Sequence, residues 1–355
     1  MNLNGPSTED RRRPLVDPEA LERFLDERLP GGGRVRLERH RAGHSNETFF
    51  VTRGDDEWVL RRPPRGAFLP TAHDVLREYR VLEALAGTAV RAPRPVAACD
   101  DPAVLGAPFY LMERVRGTVI RTELPAGFRL EPQAGARAEL GQELVDALVE
   151  LHQVDWRAVG LEGFGKPAGY LERQVRRWRG QLELATQFSR PLPDLSRVGD
   201  WLAAHLPESG AASIVHGDYK LDNVVFTEEP PARLLAILDW EMCTIGDPLA
   251  DVGWLISFWR EPADPPDVLD RDTGVTRLPG FQGRAELLAR YRARTGRVMA
   301  DLTFYLVLAV WKLAVLLEGS YARHLAGLTD DPLFAELKDG VPALGRRALA
   351  IIAAT

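Results

Sequence analysis

The stretch IVHGDYKLDNVVF, Ile214 to Phe226, sets a histidine, two aspartates, a lysine and an asparagine between two short β-branched runs. The flanks read as short buried strands, so the polar insert must be a loop held between them. A second acidic group follows in ILDWEMCTIGDPLADV, with Asp239, Glu241, Asp247 and Asp251. If the first stretch pairs with Leu234–Asp239 as a hairpin across Thr227–Arg233, Asn223 and Asp239 come to one end of it, with Asp218 on the preceding loop. Such an oxygen-rich set suits Mg²⁺, which takes one or two protein ligands and completes its shell with water and phosphate oxygens. A carboxylate beside the metal suits proton acceptance from an attacking hydroxyl.

The rest of the chain divides around residue 116. Val35–His40, Glu47–Arg53 and Glu57–Arg62 are rich in β-branched and aromatic residues and separated by Gly-containing turns, which predicts an antiparallel meander. Thr71–Leu85 has apolar residues at helical spacing, and Pro108–Val115 reads as another buried strand after the Pro-rich VRAPRPV. Beyond Glu131 helical patterns dominate, including Ala134–His152 and Tyr170–Phe188. The expected architecture is α+β, with a polar tail over 1–18, a small antiparallel-sheet lobe over 19–116 and a mainly helical lobe over 117–355. The apolar run Leu302–Leu317 is interrupted by Lys312 and reads as a buried helix rather than a membrane span.

Composition narrows the partners. The 355 residues carry a net charge of −6, against the clustered excess of Lys and Arg that a nucleic-acid surface needs. The two cysteines, Cys99 and Cys243, lie far apart and in no metal-ligand spacing, which fits a reducing cytoplasm. The Arg-rich amino terminus has no apolar core of a secretory signal. A soluble protein with a small-molecule substrate, no nucleic acid and no membrane association is expected.

The pattern H-x-D-x-x-x-x-N followed by a strand ending in Asp resembles the catalytic-loop and metal-loop pair of the protein-kinase-like fold. The HGD form, with ILDWE and GDPLADV, is similar to the aminoglycoside phosphotransferase and choline kinase branch. Protein kinases have Arg where Gly217 stands, and Phe-Gly where Trp240 and Glu241 stand. The segments GHSNETFFV, WVLRRPPRG, REYRVLEAL and FYLVLAVWKLAVLLEGSYARHLAG resemble the subgroup related to the kinase-like domain of acyl-CoA dehydrogenase proteins.

The resemblance implies an ATP- and Mg²⁺-dependent small-molecule kinase, with GTP left open and with Asp218 as the base that orients and deprotonates the acceptor hydroxyl. It implies Asn223 and Asp239 as Mg²⁺ ligands and His216 as a brace of the loop. Glu241 reaches a second metal or only its hydration shell, or else makes a local salt bridge. Asp247 and Asp251 sit near a helix start, where capping and support of the loop are expected. Lys220 either stabilises the transferring charge or faces solvent.

In the first lobe Arg61 stands where kinases have a phosphate-binding Lys, with Glu78 as its expected partner. The turn Ala42–Thr48, including Ser45 and Asn46, takes the place of the glycine-rich loop. Met112–Val115 resembles the hinge, whose backbone at Glu113 and Val115 would meet adenine. The implied acceptor is a hydroxylated acyl compound, with Lys312, Tyr321 and Arg323 as contacts for an anionic group. The alternatives are an antibiotic phosphotransferase for aminoglycosides or macrolides, and a nucleotide-binding pseudo-enzyme suggested by Arg61 and the Gly-poor loop.

Overall fold

The computed structural model describes residues 14–40, 46–64, 74–129, 134–266, 270, 274–299, 301–328 and 333–354. Two compact units divide it: residues 1–116 with 236–241, and residues 117–235 with 242–355.

The first unit is built on a five-stranded antiparallel sheet. Its strands are β1 (Val35–His40), β2 (Glu47–Arg53), β3 (Asp56–Arg62), β4 (Pro95–Cys99) and β5 (Phe109–Glu113), in spatial order β1-β2-β3-β5-β4. The expected meander is present, with Arg53 opposite Asp56 across the β2–β3 turn. Strand β4 falls in the Pro-rich segment read from sequence as a break. Pro95 is tolerated because it is the first residue of an edge strand, where no ladder donor is required of it.

Two helices flank the sheet. The helix α1 (Pro18–Asp26) begins at an Asp17 N-cap with Pro at its first turn, and buries Leu21, Phe24 and Leu25 against Phe49, Val51, Leu60, Phe109 and Leu111. The polar tail expected to reach residue 18 is therefore shorter: Val16 is buried and the Leu15 carbonyl accepts from Arg62. Residues 1–13 lie outside the described set. The helix α2 (Val75–Leu85), capped by Asp74, packs on β4 and β5.

The second unit is mainly helical. The helices α3 (Pro102–Leu105) of the first unit and α4 (Ala126–Arg129) are single turns. The second unit's long helices are α5 (Ala134–His152), α6 (Tyr170–Gln187), α7 (Pro193–Ala204), α8 (Leu249–Phe258), α9 (Arg284–Thr295), α10 (Thr303–Leu325) and α11 (Leu333–Ala353). Helix α10 contains the apolar run and packs against α6, α7, α8 and α11. It is long and apolar enough to cross a membrane, but 61% of its most apolar window is buried within the fold. Trp311 at its centre is fully buried and donates its indole N–H to the Leu195 carbonyl at 2.8 Å. Gly199 makes room for that ring, since a Cβ there would stand 2.9 Å from it.

The strand-like flanks of the polar loop take different partners. Strand β6 (Ser213–Val215) pairs with β9 (Thr244–Gly246), a strand not anticipated from the sequence. Strand β7 (Val224–Phe226) pairs with β8 (Leu234–Ile237), as expected. The Thr227 N–H donates to the Arg233 carbonyl at 3.0 Å and closes that hairpin.

Candidate active site

Two clusters of polar side chains are built separately, one in each unit. The cluster of the second unit centres on the loop that β6 feeds. Gly217 has φ +85°, and a Cβ there would stand 2.7 Å from the Met242 carbonyl, so glycine is required for the chain to turn so tightly. The backbone N–H groups of His216 and Gly217 donate to Asp251 at 2.7 and 2.8 Å, and the His152 Nε2 lies 3.2 Å from the same carboxylate. Burial opposes the charge on Asp251. His152, His216 and the Gly217 N–H outweigh it and hold the carboxyl below its ordinary range. Burial in turn lowers the pKa of His152, against the pull of Asp251. His216 is fully buried, and its Nδ1 accepts from the Asp218 N–H at 3.2 Å. These contacts tie the backbone of residues 216–218 to the Asp251 carboxylate and the His216 ring. Asp247 accepts from Leu249 N–H and from the Tyr305 hydroxyl, which ties the start of α8 to α10.

The loop so braced presents Asp218. Its Oδ1 accepts the Trp254 indole N–H at 2.8 Å and its Oδ2 accepts the Asn223 side-chain amide at 2.7 Å. That amide also donates to the Asp218 carbonyl at 2.9 Å. Both carboxylate oxygens are thus oriented, while lone-pair capacity remains for a further proton or donor. The expected solvent-facing alternative for Lys220 is not the observed one: its ammonium pairs with Asp222 at 2.7 Å, stands 4.0 Å from Asp218 Oδ2, and is only 16% exposed.

Trp254 was not singled out from sequence. A signal was present, because Asp251 and Trp254 are i and i+3 on one helix and share a face.

The three residues expected to contact an anionic acceptor do not converge. Tyr321 lies nine residues beyond Lys312 on the same helix, about 13 Å along the axis and half a turn round it. It is buried beneath the Arg190 guanidinium, 4.5 Å from the ring centroid. Arg323 is a further half-turn on and donates to Ser320 at 3.0 Å. Lys312 alone adjoins the loop: its ammonium donates to the Gly217 carbonyl and lies 4.0 Å from the Trp254 ring centroid. Burial lowers its pKa to about 8, with Asp218 and Asp251 pulling it back up.

The cluster of the first unit is built on the sheet face below α2. Arg61 and Tyr110 are cross-strand neighbours of β3 and β5, so the two-residue period of the strands puts both on one face. Glu78 of α2 meets them there, with Arg61 Nη1 at 3.1 Å and the Tyr110 hydroxyl at 3.0 Å. The Asn46 amide donates to Glu78 at 2.7 Å and stands 3.5 Å from Glu241. The expected Arg61–Glu78 pair is therefore made, and Arg61 makes a second one, with both terminal nitrogens on Asp239 Oδ1 at 3.0 and 3.1 Å. Asp239 holds this position with φ +64°, the left-handed region.

The electrostatics of this cluster follow from one guanidinium shared among several carboxylates. Burial disfavours the charge of Arg61, but Glu78, Asp239 and Glu241 hold it above its ordinary value. Burial raises the Glu78 carboxyl to about 7, relieved by Arg61 and reinforced by Asp239 and Glu241.

The remaining candidates stand as follows. The Glu113 N–H donates to the Arg94 carbonyl at 2.8 Å, and its carboxylate pairs with Arg94. Val115 lies two residues beyond the end of β5, outside the regular elements. Ser45 and the turn 41–45 lie outside the described residues. Among the described residues no three His, Cys, Asp or Glu side chains gather in a metal-binding group. Asn46 has a buried side-chain carbonyl oxygen with no partner. Sparse carboxylate and amide oxygens of this kind fit a Mg²⁺ ion that takes most of its shell from water and phosphate, and do not fit a cage for Zn²⁺.

Comparison with known proteins supplies the family. Residues 36–302 match the model of the phosphotransferase enzyme family, and the chain belongs to that family. Acyl-CoA dehydrogenase family member 11 of Gallus gallus is 34% identical over 339 residues, which make up 92% of this chain and 42% of the relative. The chain thus spans less than half the length of that relative. A crystal structure from Ralstonia eutropha, provisionally named an aminoglycoside phosphotransferase, superposes with a TM-score of 0.80 at 32% identity, covering 95% of this chain and 98% of the other. Choline kinase from Cryptosporidium parvum shares the fold, with a TM-score of 0.63 at 12% identity over 94% of this chain and 95% of the other.

Proposed function

We propose that the chain transfers the γ-phosphoryl group of ATP to a hydroxyl group of a small molecule, with Asp218 as the base. The observation that carries this reading is the two-point fixing of the Asp218 carboxylate by Trp254 and Asn223. A carboxylate so oriented takes the proton of the acceptor hydroxyl as the new O–P bond forms and ADP leaves with the electrons of the broken one.

By the family resemblance, Asn223 and Asp239 are each proposed as a Mg²⁺ ligand, with Glu241 near Asp239 in sequence. The ion would neutralise charge on the transferring phosphoryl group. For Asp239 to serve, Arg61 must release it, and the guanidinium is then available to a nucleotide phosphate while Glu78 still holds it. Asn46 and Ser45 would line the phosphates. Because the Glu113 N–H is already engaged, the Glu113 carbonyl and the Val115 N–H are the proposed adenine contacts.

The acceptor proposed is a hydroxylated acyl compound such as a hydroxyacyl thioester. Two observations support an anionic acceptor over a cationic antibiotic: the Lys220 ammonium stands 4.0 Å from Asp218, and the relative at 34% identity bears the name of an acyl-CoA dehydrogenase. A second reading, a nucleotide-binding pseudo-enzyme, is favoured only by the hold of Arg61 on Asp239.

Purified protein with Mg-ATP, screened for ADP formation against hydroxyacyl-CoA thioesters, choline, aminoglycosides and macrolides, separates these readings. Asp218→Ala is expected to lower turnover by several orders of magnitude while leaving Mg-ATP affinity nearly unchanged. Comparable turnover by the variant would reject Asp218 as the base. Mg-ATP binding without turnover on any acceptor would favour the pseudo-enzyme.

A further inference from the structure

Lys312 interrupts an otherwise apolar run on a helix that is the centre of its unit. Burying an ammonium costs several kcal/mol unless its interactions offset it, and a leucine or methionine would pack here without that cost. The recess it borders, lined by Tyr170, Gln174, Trp178 and Trp254, offers about 20 Å³ to water. That is room for about one water molecule and not for a substrate group.

Beside a more distant contact with the Trp178 ring, 5.7 Å to its centroid, two contacts of Lys312 lead toward Asp218. Its ammonium donates to the carbonyl of Gly217, the residue before Asp218. It also lies 4.0 Å from the ring centroid of Trp254, whose N–H is donated to Asp218 Oδ1 at 2.8 Å. A cation over the face of an indole draws density from the ring and makes the N–H a stronger donor.

We propose that Lys312 is a positioning residue for Asp218, holding the Gly217 carbonyl and strengthening the Trp254 hydrogen bond that fixes the carboxylate, rather than a contact to the acceptor. The proposal rests on the reading of Asp218 as the base for its kinetic consequence, but its structural part does not. Three anchors then hold the loop from the helical side: Asp251 on its N–H groups, Lys312 on its carbonyl and Trp254 on its side chain.

The test uses Lys312→Met, close in length and without charge, and Lys312→Arg, which keeps the charge. In protein labelled with ¹⁵N-tryptophan, Trp254→Phe identifies the Trp254 indole signal. Lys312→Met is expected to move that signal upfield and to speed its hydrogen exchange at least about tenfold, while Lys312→Arg restores part of both. With a hydroxyacyl-CoA acceptor, Lys312→Met and Trp254→Phe are each expected to lower kcat by about 10- to 100-fold with both KM values within about twofold. The double variant should be scarcely worse than either single one, because both act through the same bond. An unchanged indole signal and exchange rate in Lys312→Met overturns the proposal. So does a rise in acceptor KM at constant kcat, which would make Lys312 a substrate contact. If no acceptor is turned over, the kinase reading fails while the indole measurement still decides the role of Lys312.

Discussion

Replacing Asp251 by asparagine keeps the volume of a fully buried side chain and removes its charge. The carboxylate accepts three hydrogen bonds, from the His216 N–H, the Gly217 N–H and His152. If the amide oxygen takes the place of Oδ2, the new NH₂ faces the Gly217 N–H. One buried donor is then unpaired, at about 1–3 kcal/mol, and the two surviving bonds lose their ionic reinforcement, at about 1 kcal/mol each. The sum is about 3–5 kcal/mol, or a fall in Tm on the order of 10 °C for a unit of this size. Thermal unfolding followed by circular dichroism reads this directly. The pH dependence gives a second, independent signature. Because the folded-state pKa of Asp251 is depressed, its contribution is present above the ordinary carboxylate pKa of about 4 and is lost as pH falls through the folded value. The gap between wild type and variant should therefore narrow in acid. A variant whose Tm stays within about 2 °C of wild type at neutral pH would refute the claim that this carboxylate pins the loop.

Other substitutions test neighbouring features. Gly217→Ala forces a side chain into a left-handed turn and against the Met242 carbonyl, and is expected to destabilise by about 2 kcal/mol or more in denaturant titrations. Gly180→Ala in α6, where a Cβ meets nothing within 4 Å, should instead stabilise by about 0.5–1 kcal/mol. Glu78, raised from 4.5 to about 7, binds a proton more tightly folded than unfolded, so its contribution declines as pH rises across that interval. Glu78→Gln removes this slope: its stability relative to wild type should improve by about 2 kcal/mol between pH ~5 and ~7.5. Urea titrations at the two pH values that give a constant difference would reject a shared, overcrowded carboxylate cluster around Arg61.

Local pattern carried most of the architecture. The alternation in Glu47–Arg62, the helical spacing of Ala134–His152 and the turn residues between them are properties of neighbouring residues, and the corresponding elements form where expected. Strand β4 was obscured by its prolines, which are acceptable only because the strand lies at an edge. Strand β9 was obscured by its brevity, since three residues carry no period. The candidate site was legible where chemistry is compressed into a short motif: His216, Asp218 and Asn223 stand within eight residues and Asp239 lies two residues beyond β8.

What the sequence determined by itself was therefore most of the longer elements and the motif that places the chain among the phosphotransferases. Only the tertiary structure decided the company those residues keep. Sequence spacing could not set Trp254 on Asp218, Tyr110 on Glu78 or Arg61 on Asp239, because each bond joins segments from 32 to 178 residues apart. The same holds for Lys312, which lies 95 residues from Gly217 in the chain and whose ammonium the packing of an apolar helix brings onto that carbonyl. Hydrophobic patterning specifies that such a helix is buried; the position of Lys312 is fixed by the register in which its neighbours pack.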